Sequence, residues 1–422
     1  MNASQKNIQM RQLGRTVRIV GCAATPLNSV KLQSPTELMA EAFNSALQSI
    51  NIKTRDISGL IAIPSLAEPH FMEAHYFATL IGLLPGKGIV TRTLDSGGAG
   101  PISAILMAKR MIQTEGVDVV AVVAGDAVKQ LSSKEFLERA DGSVSHPQSE
   151  LSSPMIPNGY DRIAQYQMKR FGTTRRQLAS CSALMSLMAM RHPFALTKQA
   201  RSIDDVLNAP QVAPVTSVLE CARRADGGAC VIIASSRAIE RLGLPKEIGV
   251  VITGGGEASG PLFPPKDVEG ITEDMFSCEE AVAVAFDEAQ VGVKDIDFFG
   301  LYDCFPICLI RAVEAVGLAP KGHGGSYIEL KYHEVLDAMQ RAQKSNTPFR
   351  PQDILPLNTH GGLLAFGAPW EVPAMYNVVE AFAQLTNNAG PRQIRNARRA
   401  LVYGNGGIFS HSSVAILGSG RY

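Results

Sequence analysis

Thr54-Arg55-Asp56-Ile57-Ser58-Gly59-Leu60-Ile61, preceded by Glu41-Ala42-Phe43, returns in outline about half a chain later as Val293-Lys294-Asp295-Ile296-Asp297-Phe298-Phe299-Gly300-Leu301-Tyr302, preceded by Val284-Ala285-Phe286. Each copy reads as an alanine-rich amphipathic helix, a charged turn ending in Asp-Ile, and a strand. A strand-like run comes before each copy, Val17-Arg18-Ile19-Val20-Gly21 in one and Ile248-Gly249-Val250-Val251-Ile252-Thr253 in the other. Each is followed by a glycine turn that opens a helix, at Ser96-Gly97-Gly98-Ala99-Gly100-Pro101 and at Thr359-His360-Gly361-Gly362. Buried strands come next, Val117-Asp118-Val119-Val120-Ala121-Val122-Val123 and Ala400-Leu401-Val402-Tyr403. Strands alternating with helices, twice over, predict two packed α/β halves related by pseudo-symmetry.

Between the halves the texture changes. From about residue 128 the chain is rich in charge, Ser and Met, with helices expected over Asp161 to Gln167 and Arg175 to Ala189 and a helix start at Gly172-Thr173-Thr174. We divide the chain into a basic tail (1–16), a first half (17–127 and 218–246), an inserted loop domain (128–217) and a second half (247–422). Long excursions from a rigid scaffold commonly carry substrate contacts, and a purely structural cap fits the same texture.

Composition narrows the partners. A chain of 422 residues exceeds a single-core domain. Its formal net charge of +1 argues against nucleic acid or an anionic membrane surface as partner. No apolar run approaches the ~20 residues of a transmembrane helix. Seven scattered cysteines fit a reducing compartment better than a disulfide framework, and none forms a paired metal motif, so no metal or bound cofactor is expected. No acidic residue precedes Glu37, whereas Lys6, Arg11, Arg15 and Arg18 do, with Ser4 and Thr16. That polarity suits a mitochondrial presequence; a short basic tail on a cytoplasmic protein suits it equally.

The chemistry concentrates in glycine loops. Leu357-Asn358-Thr359-His360-Gly361-Gly362-Leu363-Leu364-Ala365-Phe366-Gly367-Ala368-Pro369-Trp370 has the layout of a glycine-lined catalytic loop. Tyr302-Asp303-Cys304-Phe305, Arg224-Ala225-Asp226-Gly227-Gly228-Ala229, Phe171-Gly172-Thr173-Thr174 and Gly404-Asn405-Gly406-Gly407 accompany it. Together with the duplication, these segments resemble the thiolase superfamily, most closely its sterol-carrier-protein thiolases and their trypanosomatid and bacterial thiolase-like relatives. The likeness runs from about residue 17 to the C-terminus. It implies an α/β thiolase fold, a five-layered αβαβα core with an inserted loop domain.

The resemblance also implies that three reactive side chains are gone. The nucleophilic cysteine, the histidine of Gly-His-Pro and the second cysteine of working thiolases fall at Gly98, Ala368 and Gly404, and no cysteine lies between Cys22 and Cys181. What remains is main chain: amides near Gly98 and Gly406, with Asn358 beside them, suit an oxyanion hole for a thioester carbonyl. Tyr302 is a candidate acid, because a phenol can donate to an oxyanion or protonate a carbanion. A tyrosine that merely caps the strand is the alternative. Asp303 is expected at the following helix N-terminus, Cys304 as a small buried hydrophobe, and Phe305 in the core. His360, beside two glycines, is a candidate replacement for the absent imidazole, against an exposed loop histidine. His411 reads as a satisfied core histidine.

Gly254-Gly255-Gly256-Glu257-Ala258-Ser259-Gly260 lacks dinucleotide spacing; by the resemblance it is a loop bordering a coenzyme A tunnel, with Ser259 on the pantetheine arm. The expected protein therefore acts on coenzyme A thioesters of β-keto or β-carboxy acids by decarboxylation or C–C cleavage or formation. The alternative is an inactive homologue that binds acyl-CoA or a partner protein. The strand-like Gly88-Ile89-Val90-Thr91-Arg92-Thr93-Leu94 needs covering, which predicts a homodimer.

Overall fold

A computed structural model describes residues 16–28, 30–146 and 150–420. The expected N-terminal tail therefore lies, apart from Thr16, outside the described residues, and the targeting reading lies there with it. The first half runs β1 (Val17–Ala24), α1 (Pro35–Ser49), β2 (Gly59–Ala62), α2 (Glu73–Leu80), β3 (Val90–Thr93), α3 (Gly100–Thr114) and β4 (Val119–Ala127). The chain then leaves the sheet through α4 (Ser133–Val144), α5 (Met155–Phe171), α6 (Arg175–Ala189), α7 (Ile203–Leu207) and the short pair β5 (Gln211–Ala213) and β6 (Thr216–Ser217). It returns as β7 (Asp226–Ser235) and α8 (Ser236–Arg241). The second half opens with β8 (Val250–Ser259), α9 (Cys278–Ala289), β9 (Phe298–Leu301) and α10 (Pro306–Ala315). It closes with α11 (Gly324–Ser345), α12 (Gly362–Ala365), α13 (Pro373–Leu385), β10 (Arg399–Gly406) and β11 (His411–Ser419).

The strands lie in the order β3-β2-β4-β7-β1-β8-β11-β10-β9. Read outward from the β1–β8 seam, β7 answers β11, β4 answers β10, and β2 answers β9, which is the predicted pseudo-symmetry. The seam is thin, with Arg18↔Val251 and Ile19↔Val250 as its ladder pairs among the described residues. On the second half the counterpart of β3 is reduced to one bridge, Leu357 beside Phe299.

Alternation along the strands builds the layers. Val119, Ala121 and Val123 of β4 face a core with Met39, Phe43 and Phe77 of α1 and α2, whereas Val120 and Val122 join the core shared with Ile102 and Ile105 of α3. Helices α3 and α13 pack on strands of both halves, α1 covers the first half from outside and α9 the second. The result is the α/β five-layered arrangement.

Local signals start the helices where expected. Ser34 and Glu37 form a reciprocal capping box on α1, with Pro35 in its first turn. Thr174 and Gln177 do the same for α6, just after Gly172 ends α5 in a left-handed conformation.

The run Gly254 to Gly260 is not a loop: residues through Ser259 form β8. A Cβ on Gly254 would stand 2.7 Å from the Ala285 carbonyl oxygen, and one on Gly256 would be 2.8 Å from the Ala285 nitrogen. The glycines allow α9 to lie directly on the strand.

Candidate active site

The two glycine loops of the halves meet back to back. A Cβ on Gly97 would stand 2.8 Å from the Gly407 nitrogen, and one on Gly404 would stand 2.9 Å from the Ala99 Cα. Only main chain fits at this approach. Gly98 faces the side chain of Tyr302: a Cβ there would collide with the phenol oxygen and lie 2.6 Å from the Asn405 carbonyl oxygen. Gly98, Gly406 and Tyr302 are therefore brought together. Burial, reinforced by Cys304 and Glu371, pushes the Tyr302 hydroxyl well above its ordinary range and keeps it protonated.

Asn358 holds Tyr302 in place from beneath. Its Oδ1 accepts from the Leu301 N–H at 2.8 Å, and its Nδ2 donates to the Leu301 carbonyl at 2.8 Å. Both ends of the amide are thus engaged on the residue preceding Tyr302. Asp303 accepts from the Leu363 N–H at 2.7 Å, so it caps α12 across the fold rather than α10, which follows it in sequence. Burial pushes its carboxyl up to about 7 against these hydrogen bonds.

His360 is buried, not an exposed loop residue. Its ring stands edge-on to Phe366 at 5.2 Å, and its Nδ1 has no partner among the described residues. Burial holds its pKa down to about 4, with Glu380 opposing and Arg392 adding to the effect, so the ring is neutral at physiological pH. The charges that act on it, Glu380 and Arg392, are thus distinct from Cys304 and Glu371, which act on Tyr302. Its neighbour Thr359 donates to Glu380 at 2.6 Å, and Arg392 pairs with Glu380 at 2.9 Å.

Two residues complete the surroundings of Tyr302 that sequence reasoning missed. Tyr160, from α5, donates to the Gly407 carbonyl and accepts from Asn405 Nδ2 at 2.9 Å, with its ring stacked on Phe305 at 4.6 Å. It ties the excursion to the terminal glycine loop. Glu371 reaches the start of α3, where a Cβ on Gly100 would stand 3.9 Å from its Oε2. That oxygen is buried with no partner among the described residues, and burial, with Asp95 and Asp126 adding, pushes the carboxyl well above its usual range. Cys304 is half-buried, its Sγ 3.5 Å from that of Cys308.

Ser259 ends β8 and bonds His411 at 2.9 Å. His411 opens β11 and is partly exposed. A groove of about 800 Å³ runs between α5 and residues 266–269, lined by Arg162, Lys169 and Lys266 among others. Lys169 pairs with Glu269 and Lys266 with Glu150. No cluster of three metal-ligating side chains occurs among the described residues, nor any helix long and apolar enough to cross a membrane.

Paired α/β halves with abutting glycine loops define a thiolase fold. Residues 267–335 and 337–419 match the family described as thiolase C-terminal domain-like. The chain is similar to an acetyl-CoA acetyltransferase of Methanothermobacter thermautotrophicus, 26% identical over 95% of this chain and 99% of that protein. It is also similar to sterol carrier protein 2 of Bos taurus, 24% identical over 72% of this chain but only 54% of that longer protein. Among solved structures, the Ltp2-ChsH2(DUF35) aldolase superposes with a TM-score of 0.76 at 19% identity, over 97% of this chain and 99% of that one. These likenesses are to thiolases and to sterol carrier protein 2, and the solved structures share the fold.

Proposed function

We propose that the chain binds acyl-CoA thioesters and promotes enolate chemistry on β-keto or β-carboxy acyl groups, decarboxylation or C–C cleavage or formation, without a cysteine acyl-enzyme. The observation that carries this reading is the Tyr302 phenol standing against Gly98, in the space a nucleophile's side chain would need. A protonated phenol beside main-chain amides suits an enolate oxygen, because it donates where charge develops and cannot attack the carbonyl. In a decarboxylation the C–C bond breaks, carbon dioxide leaves, and the electron pair passes into the thioester enolate. The α-carbon then takes a proton, for which the Glu371 carboxyl, whose pKa burial raises, is the available donor, taking one back from water afterwards. His360 is assigned to bracing the loop that carries Asn358. The groove beside Arg162, Lys169 and Lys266 suits the coenzyme's phosphates, which would compete with Glu150 and Glu269 for the lysines.

One observation favours the alternative, an inactive homologue that binds acyl-CoA or a partner protein. The cavity nearest Tyr160 and Phe305, lined also by Leu178 and Ile307, has a volume of only about 10 Å³. An acyl chain enters there only if the excursion moves.

Incubation with malonyl-CoA and a β-ketoacyl-CoA, followed by product analysis and intact-mass spectrometry, tests the reading. Turnover with no acyl mass on any cysteine is expected. An acyl-cysteine overturns the assignment of Gly98, and binding without turnover supports the alternative.

A further inference from the structure

Away from Tyr302, one row across the sheet collects a second set of reactive side chains. Gly406 of β10 pairs with His411 of β11, and His411 pairs with Ser259 of β8. Residues directly opposite in a ladder project to the same face, and adjacent strands lie about 4.8 Å apart, so Ser259 stands about 10 Å from the glycine loop. Helix α3 covers this face and contributes Ser103 and Arg110.

The side chains are connected in order. Ser259 Oγ is 2.9 Å from His411 Nδ1. The other ring nitrogen, Nε2, is 3.3 Å from Ser103 Oγ and 3.7 Å from Glu257 Oε1. Glu257 is in turn fixed by Arg110 at 2.8 Å. Burial raises the Glu257 carboxyl, but hydrogen bonds with His411, Ser103 and Arg110 outweigh it and bring it down to about 2, so the group is ionised. With the proton on Nε2, facing these oxygens, Nδ1 is left bare toward Ser259. A base oriented by a third group beside a hydroxyl is the arrangement nucleophilic serines require. Ser103 is buried, whereas Ser259 is exposed, so only Ser259 can meet a substrate.

We propose that Ser259 and His411 form a second reactive site, a nucleophile and its base that accept acyl groups from thioesters or other activated esters. His411 Nδ1 takes the Ser259 proton as Oγ bonds to the acyl carbon. The bond from that carbon to sulfur, or to the ester oxygen, breaks, and the leaving group takes the proton from the imidazolium. Water, deprotonated by the same nitrogen, then hydrolyses the seryl ester to a carboxylic acid and restores the hydroxyl.

The test uses p-nitrophenyl acetate on the full chain, with release of p-nitrophenol followed spectroscopically and the acetyl group located by peptide mapping. The probe carries no coenzyme A, so the result stands apart from the reading of Tyr302. Acetylation of Ser259 is expected, abolished in Ser259→Ala and slowed at least roughly 100-fold in His411→Asn. Acetyl groups only on lysine or cysteine, no acetylation, or a wild-type rate in His411→Asn overturns the proposal. Because the first measurement is made on the unaltered protein, misfolding of either variant cannot mask a negative result.

Discussion

The phenol oxygen of Tyr302 stands where a side chain on Gly98 would begin: a methyl group on Gly98 has nowhere to go while the tyrosine is in place. The small residue at 98 and the large one at 302 are two halves of a single packing solution.

Gly98→Ala is therefore expected to cost about 1–3 kcal/mol through overpacking; the share due to the ring should vanish when Tyr302 is truncated as well, leaving the share due to the Asn405 carbonyl. Urea denaturation of Gly98→Ala, Tyr302→Ala and the double variant measures the coupling. Additive losses within about 0.5 kcal/mol would show that the two residues do not share the space.

If a substrate is turned over, Tyr302→Phe should lower kcat at least roughly tenfold, about 1.4 kcal/mol, with a smaller effect on affinity. Glu371→Gln should do the same. His360→Ala should instead lower stability, by roughly 2–4 kcal/mol for an emptied core site, and leave kcat per folded molecule close to normal. Steady-state kinetics beside denaturation curves separate these outcomes; a selective kcat loss in His360→Ala would return the imidazole to the chemistry.

Asp303 gives the fold a pH signature. Its carboxyl is raised to about 7 from an ordinary value near 3.8, so between those values the folded chain holds a proton that the unfolded chain has released. Stability from this group therefore falls as pH rises through that window and levels off above it. Asp303→Asn should flatten the dependence, as read from urea midpoints between pH 4.5 and 8. An unchanged slope would mean that Asp303 ionises normally.

Strand β3 has one neighbour, β2, and its other side is the edge of the sheet. Beside it, α2 and its approach expose Phe71, Met72, Tyr76 and Leu80. Pairing of two copies through this region should give a dimer at micromolar concentration in analytical ultracentrifugation. A monomer there removes the expectation.

Much of the architecture was legible because its signals are local. The repeat around Ile57 and Ile296, the capping box at Thr174 and the strand before Gly97 each announce themselves within a few residues. Tyr302 drew notice for the same reason, as the first residue of a recognisable tetrapeptide. Tyr160 and Glu371 were not: one is an aromatic on an amphipathic helix, the other a carboxylate three residues past Ala368, and only the closing of the fold carries them to Tyr302. The glycines of β8 misled because glycine commonly marks a turn, while the reason for these, contact with Ala285, lies on another element.

The two ends of the nine-stranded sheet are not equivalent. At β3 the hydrogen-bonding edge is a full strand; at β9 a single bridge from Leu357 occupies it, and the chain beyond becomes the loop of Asn358 and His360. A protein with two open edges can add copies at both and grow into a fibre. With one edge given over to the loop, strand-to-strand growth has a single donor and a single acceptor surface, the same one, so it terminates after one addition. With the second half's last strand replaced by this loop, strand-to-strand association is expected to stop at a pair.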